Sequence, residues 1–303
     1  MCEFFSAIVL KNGEIVYDLN TSSHEDLIEK AGVKDDTADA DKLTFARIEI
    51  LPDNGDLFTE QKNWYLKIDQ SITPAWFTGE LEKKCMDLFF AEVYPSCIFI
   101  GKKDLEFKNR RNLFLKDSSA RLRGSSWATL YDSSSAVLRD SSRATLCHES
   151  SAELYDSSFA KLYDSSRATL YESSRAKLHD SSRATLYDSS SAILFDSPSA
   201  VLCDSSSARL HDSSSATLNG SSSATLNGSS SAKLYDSSFA KLYDSSLAFL
   251  NDSSSAVLRD SSRATLCHES SATLYDSSFA KLYDFSHATL YDSSRAVNFC
   301  EKN

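Results

Sequence analysis

From Lys116 to Phe299 the chain repeats one eight-residue phrase in which small or apolar residues hold three alternate places and the places between them vary. Written Asp-Ser-Ser-x-Ala-x-Leu-x and numbered 1 to 8, the phrase runs through 23 octads without an insertion, the first being Lys116–Arg123. Position 5 is Ala in every octad from Ala120 to Ala296. Position 7 is Leu from Leu122 to Leu290, with Asn298 closing the array, and position 3 is Ser everywhere except Pro198. Fixed sites at 3, 5 and 7 with variable sites at 4, 6 and 8 make a period of two, which predicts strands with one buried face. A helix is excluded, because an eight-residue stripe drifts around a 3.6-residue turn and Ser-Ser-Asp interrupts it every octad. A Ser-rich disordered linker has no reason to keep Ala and Leu in phase. A β-solenoid has one, since each inward column stacks like on like.

The pattern admits two coil sizes. Two octads per coil give a flattened solenoid with two facing sheets, in which Leu opposes Ser and Ala opposes Ala, so that a thin core fills evenly. Three octads per coil give a prism whose wider interior Ala and Leu fill poorly. The two-octad, 16-residue coil is favoured. The segment Asp132–Glu149 recurs at Asp252–Glu269, an offset of 15 octads that keeps the face in a three-sided coil and swaps it in a two-sided one. Position 1 is acidic in 17 octads and is expected to open the turn as an Asx turn, bonding N–H groups two residues on. Gly124, Gly220 and Gly228 replace it where a turn residue suffices.

The first part of the chain has a different pattern. Residues 4–10 and 14–19 flank Lys11-Asn12-Gly13, a hairpin signal. Ser22 or Ser23 is expected to cap a helix that runs to about Ala31 and ends at Gly32. Strands are predicted over 44–51, 64–69, 97–100 and 105–107, and a helix over about 79–90. The fold class expected is mainly β: a parallel β-solenoid of 8-residue strands over 108–303, with a small α+β head over 1–107 that caps its first open coil.

Charge and cysteines narrow the function classes. The chain has a formal net charge of −11, yet residues 116–303 carry 22 acidic against 18 basic residues, so most acidity per residue belongs to the head. Nonspecific nucleic-acid binding is disfavoured for an acidic protein. Seven Cys, an odd number, fit no disulfide framework. The N-terminus has no basic region before its short apolar run, and no apolar stretch approaches a membrane span of about 18 residues. A cytoplasmic protein with reduced thiols and no membrane contact is expected.

Candidate chemistry is sparse. No nucleotide loop, His-Glu-x-x-His or Cys-x-x-Cys occurs. Cys147-His148-Glu149, duplicated at Cys267-His268-Glu269, offers zinc-type ligands, but neighbouring residues of a strand point to opposite faces, which favours tolerant surface variation. His24-Glu25-Asp26 reads as a charged first helical turn. One carboxylate per turn is a weak calcium ligand set. No enzyme, cofactor or metal is therefore expected. The outward aromatics say more: ten of the 13 Tyr lie at position 8, and Phe-Ala-Lys-Leu-Tyr occurs three times. The candidate binding residues are Trp127, Tyr131, Phe159, Lys161, Tyr163, Phe239, Lys241, Tyr243, Phe279, Lys281 and Tyr283. Aromatics and cations of this kind make interface hot spots, while stacking between strands explains the Tyr column equally well.

The octads resemble ice-nucleation-type octapeptide solenoids and, more loosely, pentapeptide-repeat solenoids. Position 6 is Thr in only nine octads, so a flat water-ordering face is not implied. The opening Met-Cys-Glu-Phe-Phe-Ser-Ala-Ile-Val-Leu-Lys-Asn-Gly, with Ser-His-Glu-Asp-Leu-Ile-Glu-Lys after it, is similar to the leader domain of phage and bacterial small-residue-repeat proteins. The resemblance covers about a third of the chain and brings no established activity; the leading expectation, in a phage-like context, is a non-enzymatic protein-binding scaffold that docks on a host protein and blocks it. Two other expectations stand beside it. One is a self-assembling solenoid that forms homo-oligomers end to end. The other is a DNA mimic, for which a repeat charge of −4 is weak.

Overall fold

The computed structural model describes residues 5–34 and 39–299. The head strand predicted to begin at Phe4 is thus described only from Phe5, and of the segment 297–303, which breaks the Leu column and is expected to cap the solenoid, only the part up to Phe299 is described. Two compact units are present: the described residues up to Lys102 together with Asn109–Ser118, and Lys103–Lys108 together with the residues from Ser119 onward.

In the head, β1 (Phe5–Leu10), β2 (Ile15–Val16), β3 (Phe45–Pro52) and β4 (Trp64–Ile68) form an antiparallel sheet in the order β2-β1-β3-β4. Gly13 at φ 83° makes the expected hairpin turn, where a side chain would be strained. Helix α1 (His24–Ala31) starts at Ser23, whose Oγ accepts from the Asp26 N–H, and stops at Gly32 in the left-handed conformation. Alternation along β1 sends Ile8 with Leu27 and Phe45 into one layer, and Phe5, Ala7 and Val9 into the other with α2 (Gly79–Leu88). Phe89, Trp64, Phe5 and Tyr94 meet ring to ring there. The predicted second helix does not stop near residue 90. It widens into a π turn over Phe89–Val93 and continues as α3 (Tyr94–Cys97). Pro95 lies just past this join and has no N–H to give the Ala91 carbonyl. The Tyr17 hydroxyl donates to Glu92 at 2.6 Å and ties the first hairpin to the π turn.

The second unit is a parallel β-solenoid in which two octads complete each coil. Odd-numbered octads supply one sheet and even-numbered octads the other. Strand partners lie two octads apart, as in Arg167↔Arg183 and Ala168↔Ala184 on the odd sheet and Phe159↔Arg175 and Ala160↔Ala176 on the even sheet. The odd sheet has 13 strands, from Leu105–Lys108 to Arg295–Phe299; twelve spacings of about 4.8 Å make it about 58 Å long. Each strand takes only four or five residues of its octad, as in Arg167–Leu170, and turn fills the remainder. Ser at position 3, Ala at 5 and Leu at 7 point inward. Leu162 and Ala160 are completely buried, and so is Ser158. A buried Leu contributes roughly 1.5–3 kcal/mol, so two per coil give each thin layer its main stabilisation.

The turn explains why position 1 is Asp or Gly. From the third octad onward the non-glycine residues there adopt left-handed backbone, as at Asp156 (φ 56°) and Asp164 (φ 56°), which Asp tolerates better than most residues because its side chain is short and polar. Its bonds differ from the expected Asx bonds: the carboxylate reaches back one whole coil. Asp140 N–H donates to the Asp156 carboxylate at 2.9 Å, and Asp156 N–H to Glu172 at 2.6 Å. An own-turn bond would leave the previous coil's N–H unpaired; stacking at one-coil spacing places it beneath the next carboxylate. Inside the turn, the position-3 N–H donates to the position-8 carbonyl, as from Ser182 to His179 at 3.2 Å, and the Ser182 Oγ donates to the same oxygen at 2.7 Å. The Ser214, Ser246, Ser262 and Ser278 hydroxyls make the same bond, whereas those of Ser158, Ser174 and Ser190 on the even sheet are buried without a partner, so small size as well as the hydroxyl suits Ser to position 3.

Parallel pairing starts before the repeat. Within the head unit, Ile98–Ile100 pairs with Leu113–Lys116. In the solenoid unit, Leu105–Lys108 pairs with Ser119–Arg123.

Candidate docking faces of the solenoid

The octad register separates the charges of the solenoid. Positions 4 and 6 face outward on the two sheets and hold thirteen basic residues against one acid, Glu153. Positions 1, 2 and 8 form the two edges and hold twenty acids against four basic residues. The near-neutral sum thus conceals two basic faces of net +12 between two acidic edges of net −16. Every Asp of the array except Asp117 stands at position 1, where it takes the left-handed backbone, and the faces hold mainly Arg, Lys, Thr and Ser.

The candidate binding residues fall on different surfaces. Phe159, Lys161, Phe239 and Lys241 lie on the even face, five coils apart, while Phe279 and Lys281, five octads further on, lie on the odd face. The three Phe-Ala-Lys-Leu-Tyr segments therefore share no single row. The Phe side chains are half-buried and the Lys side chains exposed. Trp127, 49% exposed, stands next to Arg143, which stands next to Phe159, then Arg175: aromatic and guanidinium groups alternate along the even face.

Tyr131, Tyr163, Tyr243 and Tyr283 belong to the edges. At position 8 the rings stack at coil spacing: Tyr155 on Tyr171 at 4.9 Å, Tyr171 on Tyr187 at 5.3 Å, and Tyr163 on His179 at 5.0 Å, with planes within 12°. The His179–Phe195–His211 column extends the second stack, and Arg139 covers Tyr155 at 5.0 Å. Tyr283 stacks on Phe299 at 5.2 Å, and Tyr131 leans on His148 at 6.4 Å. For these columns, ring stacking along the edge accounts for the recurrence of Tyr.

The odd face carries a long groove. It has a volume of about 990 Å3 and extends from Arg167 to Lys281. Three successive coils present only Ser at position 4 (Ser199, Ser215 and Ser231), which lowers the floor between larger side chains. Val201, Leu247 and Phe249 are exposed in it by 39%, 49% and 40%. Arg167, Arg183, Lys233, Arg263 and Lys281 are exposed along its length, and none of them meets a carboxylate among the described residues. Sequence reading missed this surface because it depends on octad parity: residues two octads apart are neighbours, and residues one octad apart lie on opposite faces.

One titratable cluster lies in the head. His24 Nε2–H donates to the Ile48 carbonyl at 3.0 Å, and its Nδ1 lies 3.4 Å from Asp69. Glu49, buried beside them, accepts from Lys67 at 3.1 Å. Among the described residues these three acids and bases, His24, Glu49 and Asp69, form the one converging set of metal-type ligands. Lys67 also approaches Asp69 at 3.5 Å, and the Glu49 carboxylate holds the Lys67 ammonium above its ordinary range. The cluster carries its own cation, which fits an internal ion-pair network. The duplicated Cys-His-Glu triplets lie in turns, with His148 and His268 at the left-handed position 1; His148 faces Asp132 at 3.7 Å.

Comparison with family models, curated proteins and solved structures finds no match to this chain. Among the described residues no helix is long and apolar enough to cross a membrane.

Proposed function

We propose that this chain is a non-enzymatic protein-binding scaffold whose solenoid presents its odd face to a protein partner. One observation carries the reading: the groove of about 990 Å3, in which exposed Val201, Leu247 and Phe249 lie among five cations that meet no carboxylate among the described residues. Exposed apolar side chains within a charged surface mark interaction sites. A rigid backbone, bonded coil to coil even in its turns, holds them with little ordering cost on binding. In a phage-like context the use of such a scaffold is to dock on a host protein and block it.

The test compares proteins retained from a cell lysate by the full chain and by a charge-reversed variant, R167E/R183E/R263E/K281E. The reading expects a defined protein that the wild type retains stoichiometrically and the variant loses. Equal retention by both, or none by either, would count against it.

A further inference from the structure

We propose, resting on the scaffold reading, that the odd-face groove takes an extended acidic peptide segment of about ten residues running along the solenoid axis. Cations stand at both ends of the groove. Arg167 and Arg183 are register neighbours at one end, and Arg263 and Lys281 lie on adjacent strands at the other. From the first to the last of these strands there are seven coil spacings, or about 34 Å, which an extended chain covers in about ten residues. Between the ends the floor changes from Ser and Thr, past the single cation Lys233, to the exposed Leu247 and Phe249. A complementary segment has acidic side chains at both ends and small or apolar side chains between them.

The acidic edges decide between this ligand and a nucleic acid. Four-residue strands make a face only about 13 Å wide, and an Asp column flanks it on each side. A duplex laid on the face would bring phosphates over those carboxylates. An extended peptide fits between the edges. Single-stranded nucleic acid is held by successive aromatic platforms, whereas the middle of this face offers hydroxyls, Lys233, Leu247 and one exposed ring, Phe249. The same edges favour a segment with well-placed acids over a uniform polyanion, because excess negative charge meets the Asp columns.

The experiment is fluorescence anisotropy with a labelled synthetic decapeptide carrying two glutamates at each end and Val, Ser and Leu between them, titrated with the full-length chain. Binding should weaken about tenfold in R167E/R183E and again in R263E/K281E, and about as much on raising salt from 50 to 300 mM. It should stay unchanged in R143E/R175E, which alters the even face only. Circular dichroism of each variant keeps loss of binding distinct from loss of fold. Absence of peptide binding, binding indifferent to the odd-face variants, or tighter binding of a 20-nucleotide single strand to the same arginines would overturn the proposal. So would self-association in sedimentation that R167E/R183E abolishes, since the occupant would then be the acidic edge of a second copy. If the peptide fails while a lysate protein is still lost from the charge-reversed variant, the ligand assignment falls and the scaffold reading survives.

Discussion

Asp156 accepts a hydrogen bond from the backbone N–H of Asp140, one coil below it, at 2.9 Å. Both residues are left-handed, so each Asp does two things: it tolerates the turn and it binds the preceding coil. Substitution separates the roles. Asp156→Ala loses the acceptor and strains the backbone, and should cost about 2 kcal/mol. Asp156→Asn keeps an acceptor and tolerates the turn, and should cost less than half of that. Asp156→Gly should fall between them. Urea unfolding reads the stabilities, and hydrogen exchange at the Asp140 amide reads the bond. An alanine variant as stable as the wild type would remove the ladder from the account of this fold.

Pro198 is the one break in the inward Ser column. It has neither the N–H nor the hydroxyl that Ser182 directs to its turn carbonyl at 3.2 and 2.7 Å. Pro198→Ser should restore both bonds and raise stability by about 1 kcal/mol, less whatever the ring contributes by restricting the unfolded chain. Slower exchange at the restored turn, with the mutated octad still folded, is the expected observation. Faster exchange there would show that the proline suits this turn better than serine does.

Burial pushes the Cys85 and Cys97 thiols up to about 11. In the folded head they stay protonated while the same thiols in the unfolded chain ionise near 9. Well below pH 9 neither state is charged and the groups leave stability independent of pH. Between about 9 and 11 the folded state holds more protons, so stability should fall as pH rises. The double variant C85A/C97A should flatten that decline, even if cavity formation lowers the overall stability. At pH 8 both thiols should resist iodoacetamide until the head unfolds. Rapid labelling in the native protein would contradict the buried placement.

Much of this arrangement was legible because it is local and periodic. Ala at 5 and Leu at 7 marked the inward face, and packing volume pointed to the two-octad coil. Ser23, Gly13 and Gly32 placed the head's cap and turns. What stayed hidden depends on contacts between distant residues. The bond from the Asp140 N–H to the Asp156 carboxylate cannot be distinguished from an Asx turn until coils are stacked. His24 looked like a helix-start residue because Ile48 and Asp69, its partners, lie in or just past the sheet strands. Leu113–Lys116 pairs as a strand although its sequence lacks the repeat's Ala and Leu phrase. The basic odd groove needed parity: with two octads per coil, alternate octads go to opposite faces.

Parity itself can be tested, because every octad forms the same half-coil. The duplicated blocks Asp132–Glu149 and Asp252–Glu269 are 15 octads apart and therefore begin on opposite sheets, each folding in its place. An inserted octad should likewise be accepted, with every later octad changing face. Ser207 lies on the even sheet beside Ser223, while Ser215 lies on the odd sheet. Inserting a copy of Asp204–His211 after His211 moves Ser215 onto the even sheet next to Ser207. A Ser207→Cys/Ser215→Cys pair should then stand about 4.8 Å apart between Cα atoms and form a disulfide under mild oxidation. The same pair without the insertion should remain reduced. The insertion should also carry Arg263 and Lys281 to the even face, dividing the groove and weakening the decapeptide about tenfold. A four-residue insertion, which puts turn residues where Leu must be buried, should unfold the coils around it. Should the octad insertion unfold the rod, or leave the two cysteines unable to join, the interchangeability of the two half-coils would be refuted.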